Sequence, residues 1–245
     1  MVRTVDFQSR RRAVLTATVN KYIKEATPVA SEDIADIFDL SSATIRNIFS
    51  ELEDSGLLTH PYTSGGKVPT AKGYRYYVDF LLSQIELLDE EKELILKEFK
   101  REIKHLEDVL EKTSEVISTI TRYTGIVSFV EWQDKFFYKG ISRIMEQPEF
   151  QDLDKVRLLI RMIEEKQRLL DIINRDFKGK VKVYIGDELG CEDMENYAIV
   201  VVQYSRKDAP LGRLAVLGPT RMEYEHIIPA MEYLSDIVTE IIGTL

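Results

Sequence analysis

The sequence predicts an α+β protein with a helical N-terminal part, a long helical connector and a mixed C-terminal part. Three observations carry that prediction. Up to residue 82 the apolar periodicity is helical in successive segments, except in a short stretch around Gly65-Gly66. Between residues 96 and 120, apolar residues recur at alternating spacings of three and four, as in a heptad stripe. Beyond residue 124, strand-like apolar runs alternate with helical ones. The expected divisions are 1–86, 87–123 and 124–245.

Residues 6–25 read as a first helix, with Val14, Leu15, Val19, Tyr22 and Ile23 as its apolar stripe. Thr27-Pro28 ends it, because the residue before proline disfavours helix. Ser31 is placed to cap a short second helix with Ile34, Ala35 and Ile37 inward. A third helix spans 42–54, capped by Ser41 or Ser42 and stopped by Gly56. Its buried stripe is Ile45, Ile48, Phe49 and Leu52, at i, i+3, i+4 and i+7. Its other face carries Ala43, Asn47 and Ser50, flanked by Thr44 and Arg46. Such side chains suit base edges: asparagine pairs with adenine, arginine with guanine, and alanine touches the thymine methyl. The acids Glu51, Glu53 and Asp54 are confined to the far half, so the leading half keeps the positive end of the helix dipole.

Residues 57–63 and 67–69 read as two arms of a hairpin around Ser64-Gly65-Gly66, where glycine allows the positive φ of a tight turn. The tip presents His60, Tyr62, Thr63, Ser64 and Lys67, with free N–H groups at Gly65 and Gly66. A fourth helix follows from Thr70 through Leu82, with Tyr74, Tyr77, Val78 and Leu81 inward and Lys72 and Arg75 outward within reach of phosphate. Helix, hairpin and helix in this order make a winged helix-turn-helix. The DNA-contact set is Ser42, Ala43, Thr44, Arg46, Asn47, Ser50, the wing residues 60 and 62–67, Lys72 and Arg75.

In the connector, Leu96, Phe99, Ile103, Leu106 and Leu110 begin the heptad stripe and form a candidate homodimer seam. In the last part, 124–130, 136–138, 180–185, 197–204 and 213–217 are candidate strands, and 153–174 is helical in two pieces. The final helix is expected after Thr220…Glu223, a capping-box spacing, with Pro229 kinking it or marking a later start.

The net charge is −9 for 33 Lys and Arg against 42 Asp and Glu. Residues 1–82 hold ten of each sign, so the whole excess of acid lies beyond them. An acidic remainder weakens loose DNA binding, and specific binding then leans on base contacts and dimerisation. No run approaches a membrane span, no apolar leader follows the N-terminus, and the lone Cys191 forms no internal disulfide, so a reduced cytoplasmic setting is expected. The three histidines, His60, His105 and His226, have no second ligand or nucleophile at useful spacing. Catalytic residues, a metal site and a cofactor are therefore not expected.

The stretch SSATIRN…LEDSGLLTHPYTSGGKVPTAKGYRYYVD resembles the N-terminal signature of the heat-inducible transcription repressor family HrcA. YIKEATPVAS, QPEFQDLDKVRLLI and LGPTRMEYEHIIPAMEYL match the same family, in order. The resemblance implies a GAF-like C-terminal domain, binding of a dimer to double-stranded DNA at an inverted-repeat operator of chaperone operons, release on heat stress, and a chaperonin as partner. It also marks a departure. The family carries an inserted dimerisation domain after the first strand of the GAF-like part, whereas here TGIVSFV passes to FFYKGISRIMEQPEF across only EWQDK. The alternative is a winged-helix regulator controlled by a small molecule in the GAF-like domain.

Overall fold

In a computed structural model of the protein the described residues are 3–61, 65–82, 85–99, 105–132, 135–150, 152–175, 178–190, 194–206 and 209–244. Tyr62, Thr63, Ser64, Ile103 and Cys191 lie outside them. The chain divides into two compact units, Met1–Ser83 and Gln84–Leu245.

The first unit is built from α1 (Arg3–Glu25), α2 (Ser31–Phe38), α3 (Ser42–Asp54), β1 (Leu58–Thr59), β2 (Val68–Pro69) and α4 (Ala71–Leu81). Its core joins Val14, Leu15 and Val19 of α1, Ile34 of α2, the α3 stripe Ile45, Ile48, Phe49 and Leu52, and Tyr74, Tyr77 and Val78 of α4. The Tyr77 hydroxyl donates to Asn20 Oδ1, so the phenol is buried without losing its polar partner. Two details of α2 differ from expectation. Ser31 is the first residue of the helix and not its cap: the Ala30 N–H donates to the Asp33 carboxylate at 3.0 Å instead. Ile37 points outward at 60% exposure, because α2 is only two turns long and Ile34 and Ala35 already fill its inner face.

The wing also departs from a tight hairpin. Among the described residues its pairing is Leu58↔Pro69 and Thr59↔Val68, shorter than the arms 57–63 and 67–69 expected. Gly66 does not have a positive φ. It is needed for close approach: a Cβ there would lie 2.5 Å from the Val29 carbonyl oxygen. The next residue pairs with Val29 in both directions, Val29 N–H to the Lys67 carbonyl at 2.9 Å and Lys67 N–H to the Val29 carbonyl at 2.8 Å. The wing root is thereby stitched to the segment before α2.

The second unit holds α5 (Asp89–Glu98), α6 (Leu106–Thr121), β3 (Thr124–Phe129), β4 (Phe136–Lys139), α7 (Ile141–Met145), α8 (Leu153–Glu164), α9 (Lys166–Ile173), β5 (Val181–Ile185), β6 (Tyr197–Arg206), β7 (Ala209–Pro219) and α10 (Tyr224–Thr244). The strands form one antiparallel sheet in the order β4-β3-β7-β6-β5. Its two faces are both covered, which is why Tyr197–Tyr204 is so uniformly apolar. One face packs with Leu159, Leu169 and Ile173 of α8 and α9 through Ile126, Ile199, Val201, Ala215 and Leu217. Helices α6 and α10 lie on the sheet as well, and α6 comes close enough at Gly125 that a Cβ would meet the Ser114 carbonyl at 2.4 Å. The sheet with helices on it is an α+β arrangement consistent with a GAF-like fold.

The continuous heptad helix is not found. Its span is divided between α5 and α6, both within the second unit. Leu96 is 44% exposed and Phe99 and Leu106 are half-buried, whereas Leu110 is fully buried. The 3–4 spacing in α6 reports packing against β3, so Leu110 is core and not a dimer seam. Helix α10 begins at Tyr224, ahead of Pro229, and continues for fifteen residues beyond it to Thr244. The later start is therefore not observed. Thr220 does not cap it; its N–H is spent on the Asn196 carbonyl at 3.0 Å. No helix among the described residues is long and apolar enough to cross a membrane.

Candidate nucleic-acid interface

Helix α3 is fixed at its start by Ser41, whose Oγ accepts the Thr44 N–H at 3.1 Å and lies 2.9 Å from the Thr44 hydroxyl. There is no acid in its first turn. With Ile45, Ile48, Phe49 and Leu52 turned into the core, Ala43, Arg46, Asn47 and Ser50 are exposed and Ser42 and Thr44 half-buried. The predicted polar face is therefore assembled on one side of one helix.

The basic groups near that face are not loose. The Arg46 side chain, 65% exposed, donates from Nη2 to Glu32 Oε1 at 2.6 Å and from Nε to Ser31 Oγ at 3.2 Å. Across the groove, Glu53 at the end of α3 holds two wing residues: Lys67 Nζ at 2.5 Å from Oε2, and His60 Nδ1 at 2.5 Å from Oε1. The groove between α2, α3 and the wing has a volume of about 460 Å³ and is lined by Glu32, Arg46, Ser50, Glu53, Gly65 and Lys67, among others. Two of its cations, Arg46 and Lys67, are each paired with a carboxylate on its wall.

The Lys67 ammonium first, and then His60, hold the Glu53 carboxyl below the usual carboxylate range. A carboxyl whose value is depressed by folding contributes stability above its unfolded value and loses it as pH falls through the folded one. Acidification below about pH 4 is therefore expected to release the wing from α3. Protection of the Lys67 and Val68 amides, taken relative to intrinsic exchange at each pH, should fall through that range in the native chain, and Glu53→Gln should remove the step. Protection that is unchanged by both pH and the substitution contradicts the latch.

Lys72 and Arg75 are placed differently. Lys72 donates to the Ser55 carbonyl at 2.9 Å, and Arg75 pairs with Asp79 at 2.8 Å. Lys72 gathers with Arg11 and Arg12 around a cavity of about 230 Å³ at the C-terminal end of α3, the opposite end from Ser42. There Arg11 donates to Ser55 Oγ at 2.9 Å, and Lys72 neutralises the negative end of the helix. Sequence reasoning missed Glu32 and Glu53 as parts of the site. The only signal was an acid fourteen residues from each basic partner, Glu32 before Arg46 and Glu53 before Lys67, which helical periodicity does not interpret.

Comparison with known proteins follows the same division. A family model described as "Winged helix-turn-helix transcription repressor, HrcA DNA-binding" matches residues 6–79, and one described as "HrcA protein C terminal domain" matches residues 128–228. The heat-inducible transcription repressor HrcA of Carboxydothermus hydrogenoformans is 28% identical over 334 aligned positions, which take in 96% of this chain and 98% of that protein. That of Brevibacillus brevis is also 28% identical, over 93% of this chain and 95% of that one. A crystal structure of a hypothetical protein at 2.2 Å shares the fold, with a TM-score of 0.81 at 18% identity over 96% of this chain and 98% of its own. An alignment of 334 positions against a chain of 245 leaves at least 89 positions that only the Carboxydothermus protein fills. Matched in both units and along nearly its whole length, this chain belongs to the HrcA family.

Proposed function

We propose that the chain is a repressor of heat-shock genes that binds an inverted-repeat operator as a homodimer and leaves it on heat stress. The observation that carries this reading is the α3 face: Ala43, Asn47 and Ser50 exposed in a row, with Arg46 held outward beside them. Two copies of α3 in successive major grooves would read two half-sites one helical turn apart. The wing would follow the backbone from Lys67. The absence of at least 89 positions present in a relative means that the dimer uses surfaces this chain retains. Loss of the dimer on heating would remove one of two half-site contacts, and affinity would collapse. A chaperonin that favours the folded dimer fits the same scheme. Control by a small molecule gains no support from the sheet face under α8 and α9, which is filled by Phe150, Leu169, Ile173, Ile199 and Ala215.

Footprinting of the full chain on the DNA upstream of chaperone operons tests the reading. Two protected half-sites about one turn apart, lost on heating through the stress range, are expected. Protection that is absent, or spread evenly along the fragment at low salt, overturns it.

A further inference from the structure

Arg46 reaches the DNA face already bound. Its Nε–Nη2 edge is occupied by Ser31 Oγ at 3.2 Å and Glu32 Oε1 at 2.6 Å. These two bonds leave the outer edge, Nη1 with the second Nη2 hydrogen. The holders are themselves fixed. Ser31 is buried and sits in the first turn of α2, its hydroxyl donates to Glu32 Oε2 at 3.1 Å, and the Asp33 carboxylate anchors that turn through the Ala30 N–H at 3.0 Å. The Glu32 carboxyl lies below the usual carboxylate range, held there by its own backbone N–H, then by Arg46 and Ser31, so it is ionised whenever DNA is met near neutral pH.

An arginine offering one edge in a fixed plane matches the O6 and N7 acceptors of guanine in the major groove. A free arginine would also serve any phosphate, and would lose more side-chain entropy on docking. A carboxylate beside it cancels its attraction for the backbone and adds repulsion toward DNA in general. We propose that Glu32 is a specificity-determining residue of the DNA site: it orients Arg46 toward a guanine edge and penalises every duplex that does not supply one. This rests on the reading of the chain as a sequence-specific DNA binder. It assigns discrimination to an acid on α2, outside the reading helix.

Titration of the full chain with the operator fragment and with a scrambled duplex of equal length, between 50 and 200 mM salt, tests it, using wild type, Glu32→Ala, Glu32→Gln and Arg46→Ala. Glu32→Ala should bind scrambled DNA more tightly, with a plot of log K against log salt steeper by about 0.9 per protomer, about 1.8 for the dimer, one phosphate contact from each Arg46. Its preference for operator over scrambled DNA should fall about ten-fold. Glu32→Gln keeps an acceptor for Arg46 but not the charge, so it should show the same steeper slope with a smaller loss of preference. Arg46→Ala should reduce the preference, through one base position in each half-site, without the gain on scrambled DNA. Equal changes on both duplexes for Glu32→Ala, or a preference unchanged in both Glu32 variants, would overturn the inference while leaving operator binding intact. A wild type that does not distinguish the two duplexes sinks the functional reading itself, and the inference with it.

Discussion

Ile45→Ala is expected to destabilise the N-terminal unit by about 2–5 kcal/mol, the range for truncating a fully buried isoleucine. Ile45 has no exposed surface and begins the α3 stripe, between the helix that carries the polar face and the core that holds it. For a unit of this size each kcal/mol shifts the midpoint by about 4–8 °C, so a fall of about 8–40 °C follows. Because the two units have separate cores, calorimetry should show one transition moving and the other staying. Operator binding should disappear with the transition that moves. A shift below about 4 °C, or an equal shift of both transitions, contradicts the assigned packing.

Gly66→Ala is expected to detach the wing. The added methyl would sit 2.5 Å from the Val29 carbonyl oxygen and 2.6 Å from its carbon, both backbone atoms that cannot swing away as a side chain can. Relief requires breaking the Val29–Lys67 pairing, with its hydrogen bonds of 2.9 and 2.8 Å. Overpacking of this kind destabilises by about 1–3 kcal/mol. If the wing holds the DNA backbone as proposed, affinity should fall on all duplexes alike and the salt dependence should flatten. Chemical denaturation and a salt titration measure the two effects. Native stability with an unaltered salt slope shows that the wing root is not fixed at Val29.

Local patterns gave most of the elements. Ile45, Ile48, Phe49 and Leu52 marked the buried side of α3 correctly because a helix of 3.6 residues per turn leaves that spacing no other use. Ser41 and Thr70 were recognisable caps, and each accepts an N–H from three residues on. What failed depended on distance in space. The stripe of threes and fours reads as an intersubunit seam over 96–110, yet Leu110 is fully buried within its own unit, since periodicity names a buried face and not its partner. Gly66 read as a turn residue because glycine has two uses, positive φ and close approach, and only the position of Val29 tells them apart. Arg46 was legible as an exposed residue of the polar face of α3; the acid that holds it was not, because Glu32 belongs to another helix.

The most direct test is a binding scan of operator variants, each with one base pair changed, against wild type and Arg46→Ala. The account predicts a wild-type preference for guanine at one position in each half-site that Arg46→Ala flattens at a loss of about 1–3 kcal/mol, with other positions unaffected. An identical base-preference profile for the two proteins would contradict it.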